Sequence, residues 1–135
     1  MNRLIAELKN EHAYLVETLH KIKDQLITTK EGQETLRSAK EAFLQHLKKE
    51  DEKLYPVLLK EGEKDLELQK TVNKFIEEME EVSKATIDFF DKYFGGGDDD
   101  RYAADFARLY IKLSRRIKNE EEIIYKKYNE IMEGK

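Results

Sequence analysis

Residues 46–55 read His46-Leu-Lys-Lys-Glu50-Asp-Glu-Lys-Leu-Tyr55, and residues 116–125 read Arg116-Ile-Lys-Asn-Glu120-Glu-Glu-Ile-Ile-Tyr125. The second stretch repeats the first at an offset of 70 residues: a basic residue, a Glu four places on, and a Tyr five places after that. Each has a shorter companion upstream. Glu11-His12-Ala-Tyr-Leu15 is matched by Glu78-Met79-Glu-Glu-Val82 at an offset of 67. The chain therefore reads as two helical hairpins of common design.

Working outward, apolar residues recur at the alternating spacing of three and four that marks one face of a helix. A first stripe holds Ile5, Leu8, His12, Leu15, Leu19, Ile22 and Leu26. A second holds Leu36, Ala39, Phe43, His46, Glu50, Leu54 and Val57. A third holds Val72, Phe75, Met79, Val82, Thr86, Phe89 and Tyr93, and a fourth Phe106, Leu109, Leu113, Arg116, Glu120, Ile124 and Tyr128. Three polar, glycine-bearing breaks separate them: Thr28 to Gln33, Lys60 to Lys64, and Phe94 to Asp100. In the last, glycines end one helix and Asp98 to Asp100 cap the next. Helices are predicted near 2–29, 33–61, 64–94 and 100–133. Similar lengths and short connections predict an all-α, up-down-up-down antiparallel four-helix bundle, one domain over 1–135. Pro56 falls inside the second helix and is expected to kink it or end its regular part.

Charged residues make up 40% and hydrophobic residues 39% of the chain, but the charge alternates with apolar residues at a helical period instead of clustering as it would in a disordered segment. The net charge of −4 is interspersed, so no basic face is offered to nucleic acid. No apolar run approaches the length of a membrane span, and the first residues lack the apolar stretch of a signal peptide. There is no cysteine, hence no disulfide and no thiolate metal site. A cytoplasmic location is the expectation. Nothing resembles a nucleophile triad or a phosphate-binding loop, so no catalytic residue is assigned.

Five members of the inward stripes are polar: His12, His46, Glu50, Arg116 and Glu120. Counted along antiparallel helices at 1.5 Å per residue, all five fall in one slab roughly 10 Å thick. One reading is a metal-free polar layer in which Glu50 and Glu120 flank Arg116 and fix helix register. The other is a metal site, since His and carboxylate together suit iron, zinc or manganese. Tyr14, Tyr55 and Tyr125 are near enough in sequence to flank it, although aromatic packing explains them equally well. Glu17-x-x-His20 matches half of a ferritin-like di-iron motif. The second copy is missing, so it is set aside, and His20 is expected to be exposed.

A His on the first helix, then His46-x-x-x-Glu50 on the second, followed by Leu54-Tyr55-Pro56, resembles the hemerythrin-like HHE cation-binding domains over nearly the whole chain. The resemblance implies two irons in the bundle core, bridged by a carboxylate from the second helix and one from the fourth. It assigns His12, His46, Glu50 and Glu120 to the first iron. Glu121 stands in reserve, because one residue's shift along the fourth helix exchanges it for Glu120. At the positions matching the second iron's histidines stand Met79 and Arg116. Arg has no lone pair to give, and Met is too soft a donor for an oxygen-bridged iron. Arg116 would instead place its charge where that iron's would be, hydrogen-bonded to Glu50 or Glu120, with Met79 as core filler.

The resemblance and its one-sided loss of ligands together imply a protein holding one non-heme iron per chain, with zinc or manganese as variants. It would sense oxygen, redox state or iron, or store iron, meeting dioxygen or another small oxidant. Reversible di-iron oxygen carriage is not expected, because that chemistry draws one electron from each of two irons. The alternative is a metal-free helical bundle acting as a protein-interaction or regulatory module.

Overall fold

The computed structural model describes residues 3–24, 28–96 and 99–134. These form an all-helical bundle: helix α1 is Arg3–Asp24, α2 runs over 30–62, α3 is Leu66–Tyr93 and α4 runs over 99–133. Cross-helix contacts show that neighbours are antiparallel. Glu121 meets His12 while Tyr102 meets Ile22. Glu11 meets His46 on α2, Lys40 meets Asp91, and Lys92 meets Asp105.

Helix starts follow local chemistry. Thr29 caps α2, its hydroxyl accepting from the Gly32 N–H at 3.0 Å, so α2 begins at Lys30 and Gly32 is buried in its first turn, where the sequence suggests a break lasting to Gln33. Asp65 caps α3 by accepting from the Leu68 N–H at 3.2 Å. After α3 the chain turns through Gly95 and Gly96, both at positive φ (83° and 99°), a conformation glycine adopts without steric cost. The predicted cap at Asp98 and the core position of Leu26 lie outside the described residues. No helix among those described is long and apolar enough to cross a membrane.

Pro56 neither ends nor breaks α2. The α-helix Lys30–Lys49 passes through a π-helical stretch, Glu50–Leu54, into the α-helix Tyr55–Gly62, with Pro56 in the first turn of the last piece. Here the Tyr55 N–H donates to the carbonyl of Glu50, five residues back. Helix α4 does the same: Asp99–Asn119 passes through π-helical Glu120–Ile124 into Tyr125–Glu133, and the Tyr125 N–H donates to the Glu120 carbonyl. Lys126 stands where Pro56 stands, so proline is not the cause of the wide turn.

The extra residue in each wide turn re-aims the helix beyond it. Val57, expected inward, is only half-buried, and Tyr55 and Leu58 are buried instead. In α4 both Ile124 and its neighbour Tyr125 are fully buried. The core then divides in two. One apolar cluster gathers Leu15, Leu19, Phe43, Phe89, Phe90 and Leu113 among others, and the second gathers Ile5, Leu8, Leu54, Leu58, Val72 and Ile124 among others. On α1, α2 and α4 the residues between them are the polar five, all buried.

At the loop end, Asp105 accepts from Lys92 Nζ at 2.7 Å and from the Tyr93 hydroxyl, and it also pairs with Arg108. Those contacts, Lys92 foremost, hold its carboxyl below the usual range. A depressed acid stabilises the fold above its unfolded pKa and loses that contribution as pH falls below about 4. Asp105→Asn should therefore reduce stability at neutral pH, and the difference from the parent should shrink by pH 3. Urea unfolding at the two pH values measures this, and parallel curves would show the cluster to be inert.

Candidate metal centre

His12 reaches the slab from α1, His46 from the last turn before the wide turn of α2, and Glu50 and Glu120 from the first residues of the wide turns of α2 and α4. One ligand atom from each lies within 4.8 Å of those of the others, and all four residues are buried. His46 and Glu50 are one helical turn apart, so they lie on one face. The four converge because α1, α2 and α4 each carry their polar residues at the level between the two apolar clusters.

Both imidazoles are oriented from behind. His46 Nδ1 sits 2.8 Å from Glu11 Oε1, and His12 Nδ1 sits 2.9 Å from Glu121 Oε2. These carboxylates assign the Nδ1–H tautomer and leave each Nε2 lone pair pointing into the cluster. Glu11 is itself held by Lys49 from the rim. Inside, His12 Nε2 is 3.4 Å from Glu120 Oε1, and His46 Nε2 is 3.4 Å from Glu50 Oε2. The Tyr125 hydroxyl donates to Glu50 Oε2 at 2.7 Å and lies 3.1 Å from His12 Nε2. The Tyr55 hydroxyl donates to Glu120 Oε2 at 3.1 Å.

Arg116 lies beside this set, 4% exposed. It donates to the Tyr55 hydroxyl at 2.9 Å and approaches Glu120 Oε2 at 3.5 Å, with Glu78 Oε2 3.9 Å from its other nitrogen. Its guanidinium carbon stands 4.8 Å from the centre of the Phe75 ring, a favourable cation–π position. Of the two carboxylates expected as its partners, it hydrogen-bonds Glu120. Tyr55 takes the place foreseen for Glu50.

The electrostatics separate the two carboxylates. Burial, with the nearby Glu120 charge, pushes Glu50 above the usual carboxylate range. Burial also works against a charged Glu120, but its His12 contact and the Arg116 charge outweigh it and hold Glu120 low. His46 is raised: burial opposes its protonation, and the Glu50 and Glu11 carboxylates overcome that. Burial and the neighbouring carboxylates raise both Tyr55 and Tyr125, so in the metal-free chain both phenols are protonated donors.

The donor set fits a cation. His46 Nε2 and Glu50 Oε1 are buried with no hydrogen-bond partner among the described residues. An orphaned lone pair is costly in a protein interior, and both of these belong to residues of the cluster.

The four residues assigned to a metal from the sequence, His12, His46, Glu50 and Glu120, are all in this cluster. Glu121 is not: its carboxylate backs His12 from outside. Met79 is partly buried against the apolar core and takes no part. Tyr14 is 49% exposed and does not flank the centre, whereas Tyr55 and Tyr125 do. His20 is exposed, as expected, with Tyr110 beside it. Sequence reasoning missed Glu11 and the supporting role of Glu121. The one available signal was a Glu directly beside a ligand in each case, Glu11 before His12 and Glu121 after Glu120.

The hemerythrin HHE cation-binding domain model matches residues 3–128. The chain belongs to this family. Comparison with curated proteins and with solved structures gives no match. As a hemerythrin HHE domain, the chain places a buried pair of His and pair of Glu where a cation can be held. Arg116 and Met79 contribute no donor to this group.

Proposed function

We propose that this hemerythrin domain binds one non-heme iron per chain through Nε2 of His12 and His46 and the carboxylates of Glu50 and Glu120. Zinc or manganese would fit the same donors. The observation that carries the reading is the convergence of those four groups beside a buried Arg116. On the Tyr55 side of Glu120 a fixed guanidinium supplies positive charge, so a second cation there would meet repulsion instead of a ligand.

The iron supplies a one-electron redox couple. The chain's own residues do the rest. Glu11 and Glu121 hold the imidazoles by their Nδ1–H groups. Tyr55 and Arg116 fix one oxygen of Glu120, and the two apolar clusters above and below exclude bulk water. A single buried iron with this surround suits sensing of oxygen, redox state or iron, or iron storage, in the cytoplasm, with dioxygen or another small oxidant as the agent met there. It does not suit reversible oxygen carriage, which needs two electrons from two irons.

Elemental analysis of protein purified without chelator, or reconstituted anaerobically with ferrous iron, should give close to one metal per chain. A value near two would overturn the single site. A value near zero after reconstitution would identify the layer as a metal-free register device and the domain as an interaction module. Exposure of the reduced, loaded protein to air should give irreversible oxidation or no change. Recovery of the reduced spectrum on simple evacuation would contradict this.

A further inference from the structure

The two wide turns place Tyr55 and Tyr125 at matching positions, 70 residues apart, yet their hydroxyls have different surroundings. Tyr55 is claimed by Arg116, which donates to its oxygen at 2.9 Å. Among the described residues no cation contacts the Tyr125 hydroxyl. Its oxygen is 2.7 Å from Glu50 Oε2 and 3.1 Å from His12 Nε2, and its ring stacks on His12 with centroids 5.4 Å apart at 13°. Neighbouring donors on one metal ion, with bonds of about 2.1 Å, are themselves separated by about 3 Å. Tyr125 Oη thus stands from two of the four donors as donors stand from each other. It is also a third lone-pair atom beside Glu50 Oε2 and His12 Nε2.

We infer that Tyr125 is a fifth protein ligand, binding ferric iron in the site through its phenolate oxygen, while Tyr55 anchors Arg116 and Glu120. This rests on the one-iron reading above and extends it. An iron–oxygen bond forms and the phenol O–H bond breaks. The proton leaves to solvent, and no oxidant is needed when the metal is supplied as ferric ion. The hard phenolate oxygen suits a hard ferric centre better than a ferrous one, so the residue biases the site toward the oxidised metal. The two hairpins, alike in sequence pattern, would then have divided their tyrosines between a metal ligand and a guanidinium anchor.

The test uses ferric iron alone as probe, on the full chain, with iron content measured on every sample. Wild-type protein should show a visible phenolate-to-iron charge-transfer band with phenolate ring modes enhanced in resonance Raman. Tyr125→Phe should keep helical structure and bind iron but lose the band and the modes. Tyr55→Phe should retain both. Iron-loaded wild type without phenolate modes, or modes that survive in Tyr125→Phe, would overturn the assignment while leaving the one-iron reading intact. A wild-type chain that takes up no iron would instead overturn the one-iron reading, and the ligand assignment would fall with it.

Discussion

Arg116→Ala is expected to destabilise the domain by about 3–5 kcal/mol, the range for breaking a buried ion pair from one side. The guanidinium is 4% exposed and touches Tyr55, Glu120 and the Phe75 ring together. Its removal leaves a cavity, an unmatched hydrogen-bond acceptor on Tyr55, and Glu120 deprived of the positive charge that helps hold its carboxyl low. Glu120 is itself 1% exposed and has no water to turn to. Arg116→Lys should recover part of the loss, because charge returns without the planar fork that reaches two oxygens at once. Urea unfolding of the metal-free chains at neutral pH measures all three. A neutral Arg116→Ala would mean that the guanidinium does not lie in the polar layer. The explanation for a single metal site would then have to be abandoned.

His46→Ala should abolish stoichiometric iron binding, weakening affinity by at least about 100-fold. Loss of a group that merely orients a ligand already costs about 10–100-fold, and His46 supplies a donor atom. The smaller effect should appear in Glu11→Gln and Glu121→Gln. Each keeps an oxygen acceptor for the imidazole N–H, at 2.8 Å for His46 and 2.9 Å for His12, but removes the negative charge. Thermal unfolding with and without added ferrous iron gives a second readout. A ligand that binds only the folded state raises the midpoint in proportion to the logarithm of its concentration over Kd. That rise should be present in the parent, reduced in the two Gln variants and missing in His46→Ala. An undiminished rise in His46→Ala would place the metal elsewhere on the chain.

The ligand set was legible in the sequence because it obeys local periodicity. His46 and Glu50 are one turn apart, His12 and Glu120 sit on apolar stripes where a polar residue is conspicuous, and antiparallel counting brings all four to one level. The same periodicity yielded the bundle and the position of Arg116. What it could not yield begins at the wide turns. Strict spacing of three and four pointed Val57 inward and left Tyr55 and Tyr125 ambiguous. One extra residue in the wide helical turn of α2 and of α4 buries Leu54 with Tyr55 and Ile124 with Tyr125. No residue type compels that insertion. Pro56 accompanies one instance and Lys126 the other, so the wider hydrogen bond is retained for the tertiary packing and contacts it allows.

The supporting carboxylates divide along the same line. The sequence determined that acids stand beside His12 and Glu120. It did not determine that Glu11 would reach His46 across the α1–α2 contact, or that Glu121 would reach His12 across the α1–α4 contact, because those distances depend on helix rotation and not on chain separation. The apolar stripe favoured Glu120 over Glu121, and the tertiary structure decided between them, with Glu120 inside and Glu121 behind His12. A rotation of about 100° per residue around a helix puts one of the two inside and the other on the rim, and the packing of Leu113, Arg116 and Ile124 decides which.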